Sequence, residues 1–128
     1  MQVSAASNLP PDPYNNNCPS REVLDRIGDR WTVLVVGSLS DGPLRFSELG
    51  RRVSGISQKM LTQTLRGLER DGLVQRTVHA EVPPRVEYQL TEPGRTLIAP
   101  LATLDAWARA HMPAIIETRR RYDEAAST

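Results

Sequence analysis

Along residues 57–70 the apolar side chains Leu61, Leu65 and Leu68 fall on one side of a helix, and Lys59, Gln63, Arg66 and Arg70 fall on the other, with Thr62 at the flank. Ser57 is placed to cap this helix and Asp71-Gly72 to stop it. Three shorter helices are predicted ahead of it. The first opens at Pro19 or Ser20, with Val23, Leu24 and Ile27 on one side, and breaks at Gly28-Asp29. Asp29 caps the second, from Arg30 to about Ser40. Its run Trp31, Val33, Leu34, Val35, Val36 and Leu39 is apolar nearly all round, so it is expected at the centre of the fold with other elements on every side. Asp41-Gly42-Pro43 reads as a turn and Leu44–Phe46 as a very short strand. Ser47 and Glu48 begin the third helix, which runs to about Val53, and Gly55 marks a tight connection to the helix at 57–70.

Beyond Gly72 the period changes. Leu73, Val74 and Val78, then Val86, Tyr88 and Leu90, alternate as two strands, although the phase of the first is imperfect. Pro83-Pro84 stiffen the hairpin tip between them, where no ladder hydrogen bond is needed. Thr91 is expected to cap a long helix carrying Leu97, Leu101, Leu104 and Ala108 on one stripe. Pro100 should kink that helix and Met112-Pro113 end it, leaving a last helix from Ala114 to about Asp123.

Composition adds little until it is mapped. The 16 basic and 15 acidic residues leave a formal net charge of +1. Between residues 45 and 66, however, Arg45, Arg51, Arg52, Lys59 and Arg66 face a single acid, Glu48. A near-neutral total with a basic middle suits a protein that meets a polyanion with one surface. Residues 1–17, with Pro10, Pro11, Pro13 and Asn15-Asn16-Asn17, have little to bury and read as a flexible arm. Residues 18–90 form the core domain on this reading, and 91–128 the C-terminal helices and tail. The first residues lack the basic and apolar regions of a secretory signal, and no apolar run is long enough to span a membrane. A lone Cys18 excludes an internal disulfide. A cytoplasmic protein is therefore expected.

Helices followed by a two-stranded hairpin, with a tight turn between the third and fourth helices, describe a mainly α fold with a small β-wing: a winged helix-turn-helix. In that arrangement the fourth helix enters the major groove, where base edges offer distinguishable donors and acceptors. Ser57, Gln58, Lys59, Thr62, Gln63, Arg66 and Arg70 are its candidate contacts to double-stranded DNA. Arg45, Ser47, Arg51 and Arg52 are placed for the phosphate backbone, and Arg85, beside Pro83-Pro84, for phosphate or the minor groove at the wing tip. Two other classes compete. A winged helix can bind protein, leaving the basic surface incidental, and a thiol-dependent enzyme could use Cys18 as its nucleophile. The second needs a base nearby, and His79 and His111 are remote from Cys18 in sequence. Both are also too isolated for a metal site. No cofactor is expected.

These residues also carry a family pattern. Cys18-Pro19, Ile27-Gly-Asp-Arg-Trp31, Arg45-Phe-Ser-Glu-Leu49, Gly55-Ile-Ser-Gln-Lys-Met-Leu61, Leu65-Arg-Gly-Leu-Glu-Arg-Asp-Gly-Leu73 and Val82-Pro-Pro-Arg-Val-Glu-Tyr88 stand in order, followed by Leu90-Thr91 and Gly94. In these blocks, from Cys18 to about Trp107, the chain resembles the HxlR-type winged helix-turn-helix transcriptional regulators. Asp29 and His79 depart from the pattern. The resemblance implies a homodimer on a pseudo-palindromic operator, paired through the first helix and the helices after the wing. Val23, Leu24, Leu97, Leu101, Leu104 and Trp107 are the candidates for that interface. The resemblance also implies sensing of an electrophile or oxidant through Cys18. Here Arg21, one turn on, and the helix N-terminus are expected to favour the thiolate. The alternatives are a structural Cys18 packed at the dimer seam and another small-molecule effector bound near Trp31, Trp107 and Met112.

Overall fold

Buried side chains of residues 30–39 organise the rest of the chain. In the computed structural model, which describes residues 10–127, α1 (Pro19–Ile27) leads through Gly28 into α2 (Arg30–Leu39). Asp29 caps α2 by accepting the Trp31 N–H at 2.8 Å. Then come β1 (Leu44–Arg45), α3 (Phe46–Arg52) and α4 (Gln58–Arg70). Strands β2 (Val74–His79) and β3 (Arg85–Leu90) pair antiparallel, and β1 adds to the free edge of β3, giving the order β1-β3-β2. The chain closes with α5 (Glu92–Arg95) and α6 (Ile98–Ala126).

One core joins these elements. Val35, Val36 and Leu39 of α2 meet Leu49 of α3, Leu61, Leu65 and Leu68 of α4, Val74 and Leu90 of the sheet, and Leu101 of α6. Each fully buried leucine contributes about 1.5–3 kcal/mol over an exposed one. α2 is not enclosed on all sides, as its composition suggested. Leu34 is 47% exposed, because the 100° step turns it away from the face that Thr32, Val35, Val36 and Leu39 bury.

Three expectations for the C-terminal region fail. Thr91 caps only the four-residue α5, not a long helix. Its hydroxyl accepts from the Gly94 N–H at 3.2 Å and donates to the Gly72 carbonyl at 2.6 Å, pinning this turn to the end of α4. A Cβ at Gly94 would fall on the Leu73 carbonyl oxygen, so only glycine permits that approach. Thr96 and Leu97 then close with N–H bonds to Pro93 and Gly94 carbonyls, and α6 starts afresh. Pro100 produces no break, since it lies in the first turn of α6, where amides lack helical partners anyway. Pro113 lies inside α6, which continues as one helix of 29 residues. Proline removes one bond to the residue 109 carbonyl, which solvent can satisfy on this exposed rod. Ion pairs Asp105–Arg109 at 2.8 Å and Arg120–Glu124 at 2.8 Å lace the helix on either side.

Of the arm, residues 1–9 lie outside the described residues. Residues 10–17 are not featureless: Asp12 accepts the N–H groups of Tyr14 (side chain) and Asn15 (carbonyl), both at 3.1 Å, in a turn ahead of Cys18. Gly94→Ala is expected to lower stability by about 2–3 kcal/mol through overpacking against backbone. A urea midpoint equal to that of the wild type would contradict the close approach.

Candidate nucleic-acid interface

The exposed ridge of α4 is built by its two ends. Ser57 Oγ accepts the Met60 N–H at 3.0 Å and starts the helix. Gly72, at φ +75°, reverses the chain after Asp71, and the Leu73 N–H returns to the Leu68 carbonyl at 2.9 Å. With Leu61, Leu65 and Leu68 buried, Gln58, Lys59, Gln63 and Arg66 must face outward, and all are exposed. Lys59, Gln63 and Arg66 make no side-chain hydrogen bond or ion pair with the described residues. Thr62 is half-buried, and its hydroxyl donates to the Gln58 carbonyl at 2.9 Å, which leaves it an acceptor.

The other predicted contacts divide. Arg51 is exposed on α3, the helix before this ridge. Arg52 reaches back toward the Ser38 carbonyl at 3.4 Å, away from α4. Ser47 is exposed in the first turn of α3, but the carboxylate of Glu48 already serves that N-terminus, accepting the Arg45 N–H at 2.8 Å. The Arg45 guanidinium remains exposed. Arg70 turns toward a cleft walled by Glu22, Asp25, Asp29 and Asp71, apart from the rest of the ridge. Gly67 leaves room for the Arg26 guanidinium, which pairs with Asp71 at 2.9 Å and ties α1 to the end of α4.

Sequence reasoning missed two residues. A cleft of about 360 Å³ between α4 and the wing is lined by Thr62, Arg66, Glu69, Arg76 and Tyr88. Arg76 and Tyr88 are a cross-strand pair, in phase with the buried pair Val74 and Leu90. The signal was the imperfect phase of the first strand. An arginine sits at an inward position because the sheet outruns the core there and opens into the cleft.

Arg85 stands at the base of the wing tip, not at its apex. It pairs with His79 across the ladder. Its guanidinium donates to Glu81 Oε2 from Nη2 at 2.8 Å and Nε at 3.2 Å, and lies 2.9 Å from Glu87 Oε2 through Nη1. His79 Nε2 lies 2.9 Å from Glu87 Oε1. The hydrogen bond from Arg85 holds the Glu81 carboxyl below the usual carboxylate range, and that from His79 does the same for Glu87.

Such a ridge, with a basic cleft and a wing beside it, matches a known design. The HxlR-like helix-turn-helix model matches residues 26–116. The chain belongs to that family. It is a transcriptional regulator of the helix-turn-helix type, like its relatives. It is 42% identical over 106 residues to the uncharacterised HTH-type transcriptional regulator YtfH of Escherichia coli K12, covering 83% of this chain and 84% of the relative. The solved structure of ytfH from Salmonella typhimurium superposes with a TM-score of 0.80 at 40% identity, over 87% of this chain and 99% of that one. The redox regulator HypR in its oxidised form superposes at 0.67 and 44% identity, over 73% of this chain and 96% of that one. These solved neighbours share the winged fold. No helix among the described residues is long and apolar enough to cross a membrane.

In this HxlR-like chain the two remaining groups of predicted residues are unequal. Leu97 and Leu101 are not free for a partner: Leu97 packs against the core and Leu101 is only 5% exposed. Val23, Leu24, Leu104 and Trp107 are 48%, 50%, 61% and 56% exposed. On α6 the split follows from the length of the helix, which runs on past the core after Leu101. Trp107 and Met112 share a groove on α6 with Ile115 and Ile116, but Trp31 packs against the core under the Arg30 guanidinium and lines no part of it. His111 stacks on Trp107, ring centroids 4.4 Å apart.

Cys18 is half-buried at the cap of α1. Its Sγ lies 3.1 Å from Ser20 Oγ and accepts the Asp12 N–H at 3.4 Å. The Ser20 hydroxyl, then the Asp12 and Ser20 amides, lower the thiol pKa against the opposing effects of burial and the Asp12 charge. Arg21, the expected cause, takes no part. The thiolate form is favoured by hydrogen bonds that sequence spacing does not display.

Proposed function

We propose that this chain regulates transcription as a homodimer that inserts α4 of each subunit into the major groove of a pseudo-palindromic operator. The observation that carries the reading is the unpaired row Lys59, Gln63 and Arg66 on the exposed face of a helix whose other face is locked in the core. Long donors with no partner among the described residues are available to base edges and phosphates. Ser57 and Gln58 extend the row toward the start of the helix, Arg51 and Arg45 flank it, and Arg76 lies between helix and wing. Exposed Val23, Leu24, Leu104 and Trp107 supply the apolar face that a second copy covers. Titrating the protein with its own upstream duplex at several salt concentrations tests this. Binding should weaken with a log–log slope of about −0.9 per neutralised phosphate. A salt-independent affinity would favour the protein-binding alternative.

The likeness to the redox regulator HypR supports a sensing role for Cys18, as does its hydrogen-bonded sulfur. With one cysteine per chain, oxidation by diamide joins the sulfurs of two subunits, and the diamide takes up two electrons and two protons as it becomes the hydrazine. Cys18→Ser should bind the operator as the wild type does, yet keep that affinity after diamide, where the wild type shifts several-fold. An equal response in the variant would remove Cys18 from the signal.

A further inference from the structure

The wing carries an arrangement that a bare DNA-contacting arginine would not need. Arg85 is the basic residue of the tip, and each of its three guanidinium nitrogens is engaged by Glu81 or Glu87, as described above. The two carboxylates are not equivalent. Glu87 lies within β3, faces Arg45 across the β1 ladder and Thr77 across the β2 ladder, and is shared with His79. It is built into the sheet. Glu81 projects from the tip loop, half exposed, and takes two donors of the guanidinium on a single oxygen, Oε2.

We infer that Glu81 occupies, in the free protein, the position of a DNA phosphate on Arg85, and is displaced when the wing meets the duplex, while Glu87 keeps the guanidinium aimed. The inference rests on the DNA-binding reading above. Carboxylate and phosphate oxygens accept the same forked pair of N–H donors. An exposed ion pair is weak enough to exchange, whereas the duplex brings a dense row of phosphates to the same donors. Glu81 thus lowers the affinity for every duplex alike and leaves discrimination to α4.

A double-mutant cycle on Glu81→Gln and Arg85→Ala tests this, read by fluorescence anisotropy on the upstream duplex and on a scrambled duplex of equal length. Glutamine keeps the size of the side chain at an exposed tip, and equal urea midpoints would verify that the fold is intact. Glu81→Gln should tighten binding to both duplexes by about 2- to 5-fold. Arg85→Ala should weaken both and reduce the salt slope by about 0.9. The double variant should bind as Arg85→Ala alone. An equal gain in both backgrounds would reduce Glu81 to simple repulsion of DNA and overturn the exchange, as would no gain or a loss in Glu81→Gln. Wild-type binding with unmoved variants would sink this inference alone, whereas no wild-type binding to any duplex would sink the reading beneath it.

Discussion

Arg66→Ala is expected to weaken operator binding by roughly 10- to 100-fold, with much less effect on a scrambled duplex. Arg66 is exposed on α4 and also lines the cleft beside Arg76 and Tyr88, so it joins the ridge to the wing-side cleft. A bidentate arginine contact to guanine gives about 1–3 kcal/mol of discrimination, which sets that range. The helix itself should be unharmed. Alanine is the best helix former, and no intramolecular partner among the described residues is lost. Lys59→Ala, two turns nearer Ser57, should act in the same direction. Anisotropy titrations on both duplexes, with helical content checked by circular dichroism, measure the effect. Equal losses on the two duplexes would assign Arg66 to phosphate and move base reading elsewhere on α4.

The paired substitution Leu104→Asp and Trp107→Asp should yield a folded monomer and cost at least about 100-fold in operator affinity, since each half-site must then be bound separately. Both side chains are largely exposed in the single chain, so the core should survive. Placing two carboxylates in an apolar seam leaves them desolvated and unpaired, which a small interface does not tolerate. Leu101→Asp, three residues earlier on the same helix, should behave differently: Leu101 belongs to the core, and the chain should unfold. Sedimentation equilibrium separates the cases. A dimer persisting in the double variant would place the subunit contact away from this part of α6.

The sequence was most legible where one periodicity met unambiguous ends. Ser57, the leucines of α4 and Gly72 define α4 to within a residue, and the alternation of Val86, Tyr88 and Leu90 defines β3. It was least legible where a backbone contact or a side-chain pairing decides the outcome. Gly94 falls within the long helix expected from Thr91, and nothing in the sequence places the Leu73 carbonyl against it. Pro113 reads as a stop, yet its one lost hydrogen bond faces solvent on a rod whose neighbours continue to pair. Arg85 reads as a free wing cation because Glu81 and Glu87 reach it only through the hairpin fold. Likewise Leu97, Leu101 and Leu104 share one stripe in sequence, but the core ends between the second and third.

On the function proposed, two copies of the α4 ridge, related by two-fold symmetry, would address adjacent major grooves. A hydroxyl-radical footprint on the chain's own upstream DNA tests it most directly. Protected patches are expected on one face of the duplex, related by a dyad and centred about 10 base pairs, or a multiple, apart, all lost together in Arg66→Ala. A single unsymmetrical patch, or a footprint that Arg66→Ala leaves in place, would contradict it.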